Sequence, residues 1–238
     1  MTTIKTGTTK LIITPLLFLR IVLTFILLPL TLLLAAGRLD WWQAWLYITV
    51  SIVLSVISRI IMARKNPDLV AERASFIKAE GIKSWDRTIV PVIAIYGPLV
   101  LYIIAGLDKR LGWSPPPLLI AEMIGLAVIL LSYLLGIWAM ESNRFFSSVV
   151  RIQVDRGHQI VKTGPYRFIR HPAYMGGIFA WLATPILLGT LWALLPAVLI
   201  SAGITLRTAL EDRTLQAELS GYQEYCQTTH YRLVPGVW

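Results

Sequence analysis

The sequence predicts an all-α integral membrane protein with about six transmembrane helices. Apolar residues make up 56% of its 238 residues and charged residues only 15%, whereas about a quarter of a soluble domain is charged. The apolar residues are clustered in runs that approach or exceed the ~20 residues needed to cross the hydrocarbon core as a helix. The net charge of +9 comes mostly from the loops between these runs, so membrane topology explains it better than a nucleic-acid partner.

Six apolar runs qualify as spanning helices. They are Leu11–Ala36, Trp41–Met62, Thr88–Gly106, Leu118–Met140, Ala173–Leu188 and Leu191–Leu206. The last two runs are short, and only Gly189 and Thr190 separate them. The segment 173–206 is therefore either two tilted spans or one re-entrant hairpin.

Lysine and arginine residues predict the orientation of these spans. Seventeen of the 22 lie in the N-terminal segment, in the loops on the same side and in the C-terminal tail, and three lie on the opposite side. Such an excess marks cytoplasmic loops, so both termini are predicted to be cytoplasmic. Residues 1–140 then form N-terminal spanning helices with an inner amphipathic loop at 63–87. Residues 141–238 form a C-terminal functional region that contains a cytoplasmic loop, the helical hairpin 173–206 and an amphipathic tail.

The cytoplasmic stretches have recognisable local patterns. Residues 63–87 mix both charge signs with apolar residues, which is typical of an interfacial amphipathic helix. Residues 149–161 hold two runs of β-branched residues around Asp155-Arg156-Gly157, which predicts a small β-hairpin. The tail after Leu206 carries an apolar stripe at helical spacing, and Gly221 either lies within that helix or breaks it.

The segment 162–174 is the most informative stretch of the chain. Pro172 disfavours a helical conformation at His171 and suits the first helical position, so a spanning helix is predicted to begin there with His171 as its cap. The unpaired N–H groups of that helix start, together with Arg167 and Arg170, make a site for a carboxylate or phosphate.

Two further features converge on the same mouth. Gly164-Pro165 enforces a turn that brings Tyr166 back towards the helix start. Glu211 and Asp212 follow the last span at about the membrane depth of His171. A cationic helix start beside a carboxylate suits a zwitterionic amino acid moiety such as that of S-adenosylmethionine. The sulfonium of that molecule would be attracted to the face of Tyr166 or Tyr174 by roughly 0.5–2 kcal/mol.

Structural roles compete with these assignments. His171 could merely cap the helix, and Glu211 could pair only with Arg207 four residues earlier. We expect Asp212 to be solvated and Glu122 to be a satisfied structural carboxylate. The three histidines have no metal-ligand spacing, so no metal site is predicted.

The ordered set of these motifs resembles the isoprenylcysteine carboxyl methyltransferase and phospholipid methyltransferase group of membrane enzymes. The resemblance includes the upstream segments Glu141–Ser147 and Val150–His158, which are similar to bacterial members. The motifs that carry it are Gly164-Pro-Tyr-Arg-Phe-Ile-Arg-His-Pro-Ala-Tyr-Met-Gly176, Glu211-Asp212, Gly221-Tyr-Gln-Glu-Tyr225 and Tyr231-Arg-Leu-Val-Pro235.

This resemblance implies a cofactor, S-adenosylmethionine, clasped at the cytoplasmic face by the C-terminal hairpin and tail. A tunnel from the bilayer would admit the lipophilic substrate. Arg170, His171 and Glu211 would be catalytic. The implied cofactor-binding residues are Lys162, Gly164, Tyr166, Arg170, His171, Tyr174, Glu211 and Asp212. The family often has a second Glu at the position of Asp212, so the role of this shorter side chain stays open.

The expected function is methyl transfer to a lipophilic acceptor, either an isoprenylcysteine carboxylate or a phospholipid, in the inner membrane of a bacterium. O-methylation is slightly favoured over N-methylation because a carboxylate needs no base. The alternatives are an NADPH-dependent sterol-type reductase, which shares an Arg-His-x-x-Tyr motif, and a non-catalytic membrane scaffold. The chain has fewer spans than such reductases and no dinucleotide glycine fingerprint. The acceptor and the oligomeric state stay open.

Overall fold

The computed structural model describes residues 22–75 and 80–238, which contain helices and loops and no β-strand. We number the helices in chain order. They are α1 (Leu28–Ala36, preceded by the π-helical turn Leu23–Leu27), α2 (Trp42–Lys65), α3 (Pro67–Ser75), α4 (Ser84–Leu111), α5 (Leu119–Ser142), α6 (Pro172–Leu188), α7 (Leu191–Glu218) and α8 (Tyr222–Thr228).

Four of these helices, α2, α4, α5 and α7, are long and apolar enough to cross a membrane, with mean hydropathies of 1.7 to 2.2. The chain is therefore an integral membrane protein. Helix α6 is apolar but has only 17 residues. The first predicted run, Leu11–Ala36, lies partly outside the described residues. Helices α4 and α7 also extend beyond the runs predicted from hydropathy, because their polar ends continue the helix past the apolar segment.

Small residues allow the helices to approach closely, as in other membrane bundles. Helices α5 and α6 pack together at two glycines. A Cβ placed on Gly176 would lie 2.7 Å from the carbonyl oxygen of Ser132, and one placed on Gly125 would lie 2.8 Å from the backbone nitrogen of Leu187. A side chain at either position would push the two helices apart.

The end of the bundle opposite the loop 143–171 is closed by polar contacts. The carboxylate of Asp108 accepts hydrogen bonds from Ser114 and from the backbone nitrogen of Trp192. This anchors the turn between α6 and α7 at that end, so the two arms form an antiparallel hairpin. Glu122 is buried and accepts a hydrogen bond from Gln43 at 2.7 Å, which confirms the prediction of a satisfied structural carboxylate.

The predicted β-hairpin at 149–161 is wrong. The segment is a loop with a 3₁₀ turn at Val154–Arg156. Its backbone is bound by α4 instead of by a second strand: the backbone nitrogen of Val150 donates to the carboxylate of Asp86 at 2.7 Å, and its carbonyl accepts from the backbone nitrogen of Lys83 at 3.1 Å. The backbone N–H and carbonyl of Val150 are therefore not available to a strand partner.

The inner loop 63–87 also differs from the predicted single amphipathic helix. Helix α2 ends at Lys65, α3 begins at Pro67, and α4 already begins at Ser84. The break at Asn66 follows from the proline after it, which disfavours a helical conformation at the preceding residue. Residues 76–79 lie outside the described part.

The C-terminal tail returns to the start of α6. Gly221 lies between α7 and α8 with a φ of 77°, so it breaks the tail helix as one of the two sequence alternatives stated. Beyond α8, the backbone nitrogens of Arg170 and His171 donate to the carbonyls of Tyr231 and Arg232, each at 2.9 Å. The tail thereby holds the residues that precede α6.

Candidate active site

A cavity of about 390 Å³, which we call the site cavity, lies between the start of α6, the loop 143–161 and α7. Its wall includes five of the eight residues expected to bind the cofactor. These are Tyr166, Arg170, His171, Tyr174 and Glu211. The fold therefore brings together two segments of the chain that are about forty residues apart in sequence.

The three remaining expected residues do not line the site cavity. Lys162 is exposed at the surface. Gly164 packs against α5, where a Cβ would lie 2.1 Å from the hydroxyl of Ser142, and its φ of 60° also favours glycine. Gly164 and Asp212 thus contact other parts of the protein and do not face the site cavity.

His171 occupies the predicted cap position, with a non-helical φ of −127° before Pro172. Its side chain makes no hydrogen bond to the helix that it precedes. The Nε2 atom lies 3.3 Å from a carboxylate oxygen of Asp212, and the ring stacks on Tyr174 at 5.7 Å between centroids. The imidazole is therefore held in place between α7 and α6 and faces the site cavity.

Asp212 is not solvated as expected: its side chain has no exposed surface. It pairs with Arg170 through two hydrogen bonds of 2.9 and 3.1 Å and with Arg232 at 2.8 Å. Tyr222 and Gln216 also donate to it. A buried carboxylate requires such partners, and they come from three different segments of the chain. Asp212 is thus the centre of the network that joins α7, the start of α6 and the tail.

Arg170 is held by the same network. In addition to the two bonds to Asp212, its Nη1 donates to the carbonyls of Thr229 and His230. An arginine has five N–H donors, and most of those of Arg170 are thus directed at the protein. Few of its donors are accordingly left for a ligand, although the residue lines the site cavity.

Glu211 faces the site cavity and accepts a hydrogen bond from the hydroxyl of Tyr174. The alternative that it pairs only with Arg207 is wrong. Arg207 instead forms an ion pair with the fully buried Asp86 at 2.7 Å, and its guanidinium lies 5.2 Å from the centre of the Tyr174 ring. Tyr174 is thereby held between Arg207 and Glu211, and Glu211 keeps its other lone pairs for a ligand.

Tyr166 sits in the 3₁₀ turn Gly164–Arg167 that the Gly164-Pro165 pair predicted. Its side chain is buried, and burial raises the pKa of its hydroxyl well above 10. Tyr225 of α8 donates a hydrogen bond to its backbone carbonyl. Tyr166 is therefore a neutral aromatic wall of the cavity at any physiological pH.

Sequence reasoning missed several residues around the site cavity. Arg151 is buried and pairs with Glu72 of α3 at 2.8 Å, and the fully buried Asp86 pairs with Arg207. His158, which belongs to the predicted hairpin 149–161, lines the cavity and packs against Phe145. Burial and the nearby arginines lower the pKa of His158 to about 4. Asp86 and His158 lie in the short motifs Trp85-Asp-Arg87 and Asp155-Arg-Gly-His158. The sequence does not show which residues contact them.

The comparison with protein families gives a match that includes residues of this site. The family model described as the isoprenylcysteine carboxyl methyltransferase (ICMT) family matches residues 123–217, from α5 to the end of α7. The match covers less than half of the chain and supports the membership of this region in that family. The ICMT-family match contains His171, Tyr174, Glu211 and Asp212, so it includes the residues of α6 and α7 that face the site cavity or support it.

The match confirms the resemblance seen in the sequence. The family implies membrane methyltransferase activity with S-adenosylmethionine as the methyl donor. The match stops at residue 217, so α8 and the end of the tail lie beyond it. A search of curated proteins found no match to the chain.

Proposed function

We propose that the site cavity binds S-adenosylmethionine. The methyl group of this cofactor passes to a lipophilic acceptor that enters between the membrane-spanning helices. One observation carries this proposal. A second cavity of about 430 Å³, the interhelical cavity, lies among the spanning helices and shares a wall with the site cavity. The shared residues are Arg73, Ala94, Phe146 and Ala173.

The interhelical cavity suits an apolar chain. Its wall comes mainly from α2, α5 and α6 and includes Ile129, Ile137, Met140 and Trp181. An alkyl or prenyl chain held there would place its head group at the shared wall. The head group would then face the site cavity, where the reactive methyl group of the cofactor would lie.

The residues of the site cavity fit S-adenosylmethionine. The free lone pairs of Glu211 can accept hydrogen bonds from an ammonium group or from ribose hydroxyls. The positive end of the α6 dipole faces the cavity at Ala173 and can bind the carboxylate of the cofactor. The aromatic rings of Tyr166 and Tyr174 offer faces to a sulfonium. The volume of about 390 Å³ lies within the usual range of ligand pockets.

The reaction is a direct displacement. A lone pair of the acceptor attacks the methyl carbon, the carbon–sulfur bond breaks, and its electrons remain on sulfur, which becomes a neutral thioether. The donor is already activated, so the protein has to align the reactants and exclude water. In this scheme Glu211 and His171 hold the cofactor, and Arg170 acts through Asp212 to keep His171 in place.

We favour O-methylation within this proposal. A carboxylate acceptor is already anionic, whereas an amine must first lose a proton to a base. The two candidate bases at the site cavity are both engaged by the protein. His171 faces Asp212 at 3.3 Å, and Glu211 accepts a hydrogen bond from the hydroxyl of Tyr174. A carboxylate acceptor requires neither of them.

In this proposal the protein spans the inner membrane of a bacterium. The site and both termini face the cytoplasm. The excess of lysine and arginine in the loops around the site supports this orientation. Reporter fusions within 151–162 and after Trp238 should report the cytoplasm, and a fusion after Lys109 should report the opposite side. An external signal from the fusion within 151–162 would contradict the proposed orientation.

Methyl transfer can be measured in membranes that contain the protein. Membranes incubated with S-adenosylmethionine labelled in its methyl group should yield labelled lipid extract. Glu211→Gln removes the charge and keeps the size, and it should reduce the labelling at least about tenfold, because a buried charged contact is worth more than ~1.4 kcal/mol. Glu218→Gln is the matched control, since Glu218 lies on the same helix and pairs at the surface with Lys83. Equal labelling by both variants would remove Glu211 from the site.

A further inference from the structure

Arg73 lies where the two cavities meet. It belongs to the last turn of α3, and its side chain lines both the site cavity and the interhelical cavity. Two of the three other residues of the shared wall, Ala94 and Ala173, have small side chains, which leave room for a head group to pass. Arg73 is the charged member of that shared wall.

The position of Arg73 is fixed by its neighbours. The preceding residue, Glu72, is buried and forms a two-pronged ion pair with Arg151 of the loop 143–171. Arg73 itself donates from Nη1 to the carbonyl of Phe146 at 3.2 Å, and its guanidinium lies 5.5 Å from the centre of the ring of that residue. These contacts hold the end of α3 against the loop and keep the guanidinium at the shared wall.

The charge of Arg73 is not balanced by a carboxylate, unlike the charges of the other arginines at the site cavity. Four arginines line the site cavity, and three of them form ion pairs with carboxylates: Arg151 with Glu72, Arg170 with Asp212, and Arg207 with Asp86. Within residues 22–75 and 80–238, no carboxylate lies at ion-pair distance from Arg73. Its guanidinium therefore keeps N–H donors for a group that does not belong to the described protein.

The electrostatic surroundings of Arg73 favour an anion. Partial burial, together with the positive charges of Arg59 and Arg207, lowers the pKa of its guanidinium to about 10, which still leaves it fully charged at neutral pH. A cation withdrawn from water among other cations is costly. An anionic group bound at the shared wall would relieve that cost and gain charge-assisted hydrogen bonds.

We propose that Arg73 binds the anionic head group of the methyl acceptor and positions it at the shared wall, with its apolar chain in the interhelical cavity. This inference rests on the proposed function. The planar fork of the Arg73 guanidinium suits the carboxylate acceptor favoured above, because it can bind both oxygens of a carboxylate. The inference also makes Arg73 a substrate-positioning residue that lies outside the family match at 123–217.

The test measures binding of two matched probes to the purified full-length protein in detergent. The probes are N-acetyl-S-farnesylcysteine and its carboxamide, which share the apolar chain and differ in the charge of the head group. Wild type should bind the carboxylate at least about tenfold more tightly than the carboxamide, as expected for a desolvated charged contact. Arg73→Gln should lose this preference while binding the carboxamide as wild type does.

Two control variants separate charge at the shared wall from general effects. Arg73→Lys keeps the charge and should retain more of the preference than Arg73→Gln does. Arg213→Gln removes a charge from an exposed position of α7 and should behave as wild type. The Gln side chain can still donate to the carbonyl of Phe146, and melting curves without ligand report whether each variant is folded.

The outcomes distinguish this inference from the proposed function. Failure of wild type to bind S-adenosylhomocysteine would overturn the proposed function whatever Arg73 does. If wild type binds S-adenosylhomocysteine but has no preference for the carboxylate probe, or if Arg73→Gln keeps that preference, the role of Arg73 is refuted. An Arg73→Gln variant that loses affinity for S-adenosylhomocysteine and keeps the carboxylate preference would assign Arg73 to the cofactor instead.

Discussion

Replacing Asp212 by Asn should destabilise the protein even without a ligand. The carboxylate has no exposed surface and forms ion pairs with Arg170 and Arg232, while Tyr222 also donates to it. An amide in its place would leave two guanidinium groups without a counter-charge and would turn an N–H donor towards one of them. Breaking a buried ion pair from one side costs about 3–5 kcal/mol. For a chain of this size that corresponds to a decrease of roughly 10 °C in the melting temperature.

The assay for Asp212→Asn is thermal unfolding of the detergent-solubilised protein, followed by circular dichroism. Asp40→Asn is the matched control, because Asp40 forms an exposed ion pair with Arg38 at the other end of the bundle. We expect this control to melt as wild type does. An Asp212→Asn variant with a wild-type melting temperature would refute the reasoning, because it would show that the buried network contributes nothing to stability.

Two further predictions concern stability. Gly176→Ala should lower the melting temperature, because its Cβ would lie 2.7 Å from a backbone carbonyl of α5 and such overpacking costs about 1–3 kcal/mol; Gly136→Ala, which has open space, should not. Acidification should destabilise wild type through His158, whose pKa is 6.5 when unperturbed and about 4 in the folded protein. Between these values the unfolded state binds more protons than the folded state, so the free energy of unfolding decreases as the pH is lowered. Melting curves from pH 7 to pH 4 should show a smaller decrease for His158→Gln, and an equal decrease would contradict this assignment.

The spanning helices could be predicted from the sequence because hydropathy is a local property. The apolar runs at 41–62 and 118–140 coincide closely with α2 and α5. The start of α6 was also predictable, since the restrictions that Pro172 imposes on His171 act between neighbouring residues. The extensions of α4 and α7 were not, because polar residues continue a helix outside the bilayer without any hydropathy signal.

The partners of the buried charges could not be predicted. Asp212 was expected to be solvated because its neighbours in sequence offer no reason to bury it. Its partners Arg170 and Arg232 lie 42 and 20 residues away. The β-hairpin failed for a related reason, since Asp86 binds the backbone at Val150 from 64 residues away. Contacts of this kind depend on how the helices pack.

The sequence predicted which residues form the candidate site better than it predicted the contacts between them. The sequence motifs identified His171, Tyr174 and Glu211, which the fold brings to one cavity. The role of Arg73 had no local signal, because an arginine in an inner loop is expected in any membrane protein. Its place at a wall shared by two cavities, without a carboxylate at ion-pair distance among the described residues, became visible only in the folded structure.

The most direct test of the account is the identity of the ligand that stabilises the purified wild-type protein. S-adenosylhomocysteine at a hundredfold excess over its dissociation constant should stabilise the folded state by ~2.7 kcal/mol, and the melting temperature should rise accordingly. NADPH at the same concentration should leave the melting temperature unchanged. A rise with NADPH and none with S-adenosylhomocysteine would contradict the assignment of the site cavity to the methyl donor and would favour the reductase alternative.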